Sequence, residues 1–263
     1  MSAGNPETVL ITGASSGIGL ELTRCFAADG SRLVLVARNT SALEKLAGEL
    51  RRDCKAEAIV LTADLSQPEI PQKIFSELQG RGVVVDVLVN NAGFGLMGRF
   101  ANLPLLRQLE IIQVNITALT ELTGLFLPGM IERHRGGVLN VGSVAGFVPG
   151  PNMAVYYASK AFVLSFTEAL AEELSETGLT VTALCPGPTE SNFSQVARNG
   201  RDRKLNRSKM TSKAVAAAGH LAYRHGKCVA VCGLQNQITA QLPRILPRSI
   251  VRKITKFYNR TDN

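Results

Sequence analysis

Tyr156 and Lys160 are four residues apart. On a helix that spacing puts them on one face, one turn from each other. An ammonium beside a phenol favours the phenolate and is expected to lower the tyrosine pKa. A phenol tuned in this way can give or take a proton near neutral pH, as general acid–base chemistry requires. A second informative stretch is TGASSGIG at residues 12–19. There Gly13, Gly17 and Gly19 permit a tight turn, close approach of a pyrophosphate and packing of a helix on a strand. The free N–H groups of that helix can then hold phosphates. The spacing is GxxxGxG rather than the commoner GxGxxG.

These residues need a scaffold that brings them to one place. Apolar, β-branched runs at residues 8–12, 32–37, 57–63, 83–90, 138–143, 180–185 and 228–232 read as strands. Helical patterns fall at 18–29, 41–53, 68–79, 104–131, 154–177 and 211–225. Strand and helix alternate strictly, which predicts an α/β fold: a doubly wound parallel sheet with helices on both faces. The strands are apolar throughout, as buried parallel strands are. Ligands in such sheets bind beyond the carboxyl ends of the strands. The glycine turn, Asn90 and Ser143 all fall at those ends.

The chain of 263 residues is long enough for one large domain, expected over residues 1–243 with a distinct segment at 244–263. Five cysteines (25, 54, 185, 228 and 232) form no CxxC pair and no zinc spacing, so reduced thiols and no metal are expected. The start of the chain does not read as a signal peptide, and no apolar run reads as a bilayer span, which points to a cytoplasmic protein. His134, His220 and His225 read as surface or packing residues. Net charge is +8, but residues 198–213 and 244–260 each carry +6, which leaves the remainder at −4. A mildly acidic body with two basic segments excludes a general nucleic-acid binder.

Taken in order, TGASSGIG, the run Asn90-Asn-Ala-Gly93, Asn115, Ser143 and Tyr156xxxLys160 resemble the short-chain dehydrogenase/reductase family over residues 8–193. That resemblance implies a Rossmann-like domain with about seven parallel strands and a nicotinamide cofactor. It implies that Tyr156 is the catalytic acid/base and that Lys160 lowers its pKa and bonds the nicotinamide ribose. Ser143 would hold the substrate oxygen, and Asn115 would anchor a water leading from Lys160 to solvent. Asp64 and Leu65 would meet the adenine, while Asn90, Ala92 and Gly93 would line the cofactor, with Asn90 also a candidate to brace the sheet. Ser15, Ser16 and Ile18 belong to the glycine turn. Pro186 and Gly187 would lie against the nicotinamide, with Thr189 and Ser191 both candidates to reach its carboxamide. A homodimer or homotetramer through the stretches 104–131 and 154–177 is the assembly the resemblance implies.

Cofactor choice is read where the second strand ends, at Ala37-Arg38-Asn39. An acid there would bond a free ribose, whereas Arg38 can pair with a 2′-phosphate. NADP(H) is therefore expected over NAD(H). The substrate pocket is expected from Phe94, Leu96, Met97, Val144, Phe147, Val148, Met153 and Phe193. Their apolar character favours a small hydrophobic ketone or alcohol. The expected activity is hydride transfer between the nicotinamide and a carbonyl or secondary alcohol; a catalytically idle cofactor-binding sensor is the rival. The basic stretch 198–213 suggests contact with an anionic handle or carrier. Residues 247–258 place Ile250, Val251, Ile254, Phe257 and Tyr258 on one side of a helix rich in Arg and Lys. Such a helix can close the pocket, meet a second subunit, or rest on an anionic membrane surface.

Overall fold

The computed structural model describes residues 6–190 and 209–259. Nine strands lie among them: β1 (Thr8–Thr12), β2 (Arg32–Ala37), β3 (Ala58–Thr62), β4 (Val87–Asn90), β5 (Gly137–Val141), β6 (Thr180–Cys185), β7 (Thr189–Glu190), β8 (Met210–Thr211) and β9 (Val229–Val231). Seven of them form one parallel sheet in the order β3-β2-β1-β4-β5-β6-β9. The strand order reverses between β1 and β4, which opens a crevice beyond their carboxyl ends. Strands β7 and β8 pair separately, a feature not expected from the sequence.

The helices are α1 (Gly17–Ala28), α2 (Thr40–Cys54), α3 (Ile70–Gly80), α4 (Leu105–Ile112), α5 (Ala118–Glu132), α6 (Ala154–Glu173), α7 (Ser212–Arg224), α8 (Leu234–Gln241) and α9 (Arg248–Tyr258). Alternate strand residues serve opposite faces. Val9 and Ile11 join one apolar layer with Leu22 and Phe26 of α1, Leu43 of α2 and Val215 of α7. Leu10 joins the other, with Ile74 of α3, Leu122 and Phe126 of α5 and Leu170 of α6. This is the period-two alternation of a strand buried on both sides.

The stretch expected as one helix over 104–131 is broken by a π-helical turn, Gln113–Thr117, between α4 and α5. The turn carries Asn115, and single π turns of this kind are frequent at functional sites. The span Leu105–Glu132 is long and apolar enough to cross a membrane by length and composition, contrary to the expectation from the sequence. Its apolar residues are interrupted by polar ones, Gln113, Asn115, Thr117, Thr120, Glu121 and Thr123, instead of forming an unbroken run. Ile111, Leu122, Phe126 and Met130 are buried in the protein. Helix α8 was not expected either, its residues being mostly polar.

A buried polar chain ties the two central strands to the helices above them. Asn90 Nδ2 donates to Thr123 Oγ1 at 3.1 Å and to Asn140 Oδ1 at 2.9 Å. Asn140 Nδ2 donates to Thr167 Oγ1 at 2.9 Å. All four side chains are buried, so losing a partner strands a desolvated group. Asn140→Leu is expected to destabilise the protein by about 2 kcal/mol, read as a lowered urea midpoint; an unchanged midpoint would show that the chain contributes nothing.

Candidate active site

A cavity of about 1100 Å³ lies beyond the carboxyl ends of the central strands. At one end it is walled by Arg38, Asp64 and Leu65, in the middle by Ser15, Ser16, Gly17 and Ile18, and at the far end by Ser143, Tyr156 and Lys160. The middle is built to take an anion. Ser16 precedes α1 in an extended conformation and its side chain makes no capping bond, and no acid stands in the first turn. The positive end of α1 therefore faces the cavity uncompensated. Gly13 has φ +67°, and a Cβ on it would come within 2.7 Å of Asn91 Nδ2. A Cβ on Gly19 would lie 2.3 Å from both Asn91 Nδ2 and Gly13 O, so Gly19 is a packing residue outside the cavity lining. These residues fit a dinucleotide: a phosphate cradle in the middle, room for a base at one end and a reactive end at the other.

At the reactive end, Tyr156 and Lys160 lie on the inward face of the first turns of α6, and both are buried. Lys160 Nζ donates to Val141 O at 2.7 Å and stands 6.0 Å from the centre of the Tyr156 ring. Ser143 follows β5 by two residues. Its Oγ accepts from Ala145 N at 3.1 Å, which caps the short turn Val144–Phe147, and it also hydrogen-bonds Tyr156. Gly93 leaves space for the Asn115 amide, because a Cβ there would sit 3.0 Å from its Oδ1.

The electrostatics differ from the sequence expectation. Burial pushes the Tyr156 phenol up to about 12, with the Ser143 hydrogen bond pulling the other way. Burial likewise pushes Lys160 down to about 8. In the protein alone, burial is the leading cause for both groups, since both charged forms are penalised in the same apolar wall.

Asn115 spends its side chain on a clamp. Its Oδ1 accepts from Phe94 N at 3.1 Å, and its Nδ2 donates to Phe94 O at 3.1 Å and Ser159 Oγ at 2.9 Å. It thereby pins the loop after β4 to α6. Ala92, Gly93, Phe94, Met97, Val144, Pro186, Gly187 and Thr189 all line the cavity. Thr189 Oγ1 donates to Gly187 O at 2.9 Å.

Besides Gly19 and Asn115, four expected residues do not line this cavity: Asn90, Leu96, Phe147 and Val148. Asn90 is turned into the polar chain between strands, because successive strand residues face opposite ways. Its neighbour Asn91 lines the cavity instead and donates from Nδ2 to Thr12 O at 2.8 Å. Leu96 is buried beside a small secondary void, and Phe147 packs against Leu164, Ala183 and Cys185. Leu96 is a core residue and Phe147 a half-buried one packed on the core, and they resemble pocket residues only in their chemistry. Ser191 and Phe193 lie outside the described residues, as does most of the basic stretch 198–213; Lys209 of that stretch lines the cavity.

The C-terminal helix, for which closing the pocket was one of three roles the sequence offered, supplies the other wall of the reactive end. Tyr157, Tyr258 and Asn259 line it, and Asn259 holds α9 in place. Asn152 Nδ2 donates to Asn259 O at 2.8 Å, Asn259 Nδ2 to Pro151 O at 3.1 Å, and the Tyr157 hydroxyl to Asn259 Oδ1 at 3.3 Å. The amphipathic pattern of residues 247–258 signalled this helix, whereas nothing in the sequence singled out Asn259 or gave Tyr157 a part in the wall. Arg107 also lines the cavity, stacked over the Phe94 ring at 5.0 Å and ion-paired with Glu110.

Comparison with known proteins gives the same picture. The family model described as short chain dehydrogenase matches residues 7–202. The chain is 33% identical to "Ketoacyl reductase HetN" of Nostoc sp. over 91% of this chain and 83% of that one. Its fold is similar to a short-chain dehydrogenase from Sphingobium yanoikuyae in complex with NADPH, with a TM-score of 0.81, 32% identity and coverage of 92% of this chain and 97% of that one. It is also similar to a short chain dehydrogenase/reductase from Burkholderia phymatum in complex with NAD, with a TM-score of 0.80, 25% identity and coverage of 92% and 94%. With the matching sheet order, phosphate cradle and Tyr–Lys pair, the chain belongs to the short-chain dehydrogenase/reductase family of oxidoreductases.

Proposed function

We propose that the protein is an NADP(H)-dependent reductase of a hydrophobic ketone, with Tyr156 as the proton donor. The observation that carries this reading is the convergence of Ser143, Tyr156 and Lys160, all in one cavity wall, at the opposite end from Arg38. When bound, the nicotinamide supplies the hydride that arrives at the carbonyl carbon. The residues of the chain manage the proton and the developing charge. With its pKa pushed up, Tyr156 is fully protonated at neutral pH and suited to give its proton to the carbonyl oxygen. The Ser143 hydroxyl, held by the capping turn, stabilises that same oxygen as charge builds on it. It then bonds the phenolate left behind. Lys160, near 8, exchanges a proton close to neutral pH and keeps positive charge in reach of the tyrosine. Asn115 is a positioning residue that fixes Phe94 against α6.

Arg38 supports the choice of NADP(H). Residues 37–41 read Ala-Arg-Asn-Thr-Ser, with no acid to bond a free ribose or repel a phosphate. The pocket supports an apolar substrate, since Phe94, Met97, Val144 and Met153 line the same cavity as Tyr156, Met97 and Met153 in one apolar cluster with it. The name of the Nostoc relative points within that class to a 3-oxoacyl compound. Arg107 and Lys209 offer cations to an anionic handle on it. Exposed Leu105, Leu106 and Leu109 on α4 supply an apolar face for the dimer.

Tyr156→Phe is expected to lower kcat for ketone reduction by about 10²–10⁴, while NADPH affinity by fluorescence titration stays within about threefold. Unchanged turnover would refute Tyr156 as the donor, and turnover absent from the wild type on every ketone tested would favour the idle sensor. Arg38→Asp is expected to lower the NADPH-to-NADH preference by at least about tenfold, measured as the ratio of kcat/KM values. An intact preference would remove Arg38 from cofactor choice. Lys160 adds a pH signature. Above about 8 it is neutral in the folded protein, while the unfolded chain still binds a proton up to 10.5. Raising pH between these values therefore favours folding, by about 2–3 kcal/mol from this group. In urea unfolding of the cofactor-free protein, wild type should gain on Lys160→Met across that window. A constant difference between the two would contradict the buried ammonium.

A further inference from the structure

Helix α9 rests on the protein along one line formed by Val251 and Thr255 and continued by Asn259, all buried. At 100° per residue, Ile250 and Ile254 fall on one flank of that line, and Arg248, Arg252 and Lys256 on the other. Ile250 is 44% and Ile254 41% exposed. Helix α8 and the turn after it add Leu234 at 74%, Ile238 at 58% and Ile245 at 81%. One of these in the open would be ordinary; with Leu242, six within 21 residues mark an interaction surface. The same stretch, residues 234–259, contains Arg244, Arg248, Arg252, Lys253 and Lys256 and no acid. It is tied to the reactive end of the cavity through the bonds of Asn259 to Asn152, Pro151 and Tyr157.

We propose that α8 and α9 form a docking surface for an anionic lipid bilayer, which holds the mouth of the cavity against the membrane. Apolar side chains enter the acyl boundary and the cations meet lipid phosphates and carboxylates. Charge selects this occupant. A second copy of the chain, meeting this surface face to face, would set five cations against five with no acid to pair them. Residues 191–208 carry five cations and one acid, so they bring no neutralising charge either. As to what enters the cavity, the inference rests on the proposed reductase: a ketone dissolved in the bilayer would reach Tyr156 past Tyr258 and Asn259. The docking itself does not depend on catalysis.

The test is co-sedimentation of the full chain with vesicles of phosphatidylcholine alone or mixed with phosphatidylserine. Binding is expected only with phosphatidylserine present, weakened by raised salt. Ile245→Ser with Ile254→Ser should weaken it by about tenfold or more, with the thermal midpoint showing that the variant is folded. Arg252→Glu with Lys253→Glu should weaken it by a similar factor. Absence of binding by the wild type, or equal binding by wild type and both variants, would overturn the proposal. So would self-association of the wild type that Ile245→Ser with Ile254→Ser abolishes in the absence of lipid binding. If vesicles bind but no ketone is reduced, the docking surface stands and the reductase reading falls.

Discussion

The reactive end of this protein is arranged around one buried ammonium. Lys160 is held away from water by α6, the end of β5 and the loop after β4, and its direct partner at 2.7 Å is a carbonyl, Val141 O. A charge in such a place is costly unless the surroundings are fixed. Each neighbouring element answers that need. The carboxyl end of β5 turns a carbonyl toward Nζ, Gly93 leaves room for the Asn115 amide, and Asn115 locks the glycine's loop onto α6 through Phe94 and Ser159. The π turn that carries Asn115 interrupts an otherwise continuous helix at this level. A structure that relaxed around Lys160 would lose the placement of Tyr156 and Ser143 together.

The sheet supplies the other constraint. Reversal of strand order between β1 and β4 puts the start of α1 and the loop after β4 on the same crevice. The phosphate cradle and the proton-bearing end therefore share one cavity although they lie about 140 residues apart in the chain. Asn91 joins them by donating to Thr12 O and Gly13 O, which holds the glycine turn closed against the loop that also positions Lys160. The far end of the chain comes back to the same place, so the basic segment takes the pocket-closing position that was one of the roles its pattern offered.

What the sequence disclosed follows from how local each signal is. The strands at Thr8–Thr12, Arg32–Ala37 and Thr180–Cys185 fall where expected, because β-branched runs bounded by Gly or polar residues are local features. The pairing of Tyr156 with Lys160 is local too, being one helical turn. Asn90 was misplaced because an Asn-Asn pair at a strand end does not say which residue faces the crevice and which faces the core. Leu96 and Phe147 were misplaced because an apolar side chain beside a pocket and one beneath it are chemically alike. The acidity of Tyr156 was misjudged for a different reason. Spacing shows that a cation is near, and only burial shows that the cation and the phenol are both penalised. The bond of Asn259 to Asn152 joins residues 107 apart, and no periodicity records it.

The central claim is that Tyr156 is held as a protonated phenol in the wall of the cavity, ready to give its proton. Titration of ¹³C-labelled tyrosine followed by NMR, with Tyr156 assigned from the Tyr156→Phe spectrum, measures that state directly. The account predicts a Tyr156 resonance still protonated at pH 10 in the free protein, consistent with a pKa near about 12, and a lower titration point once the positive charge of an oxidised nicotinamide is added. A Tyr156 that titrates at the ordinary phenol value of about 10, with or without the cofactor, would contradict it.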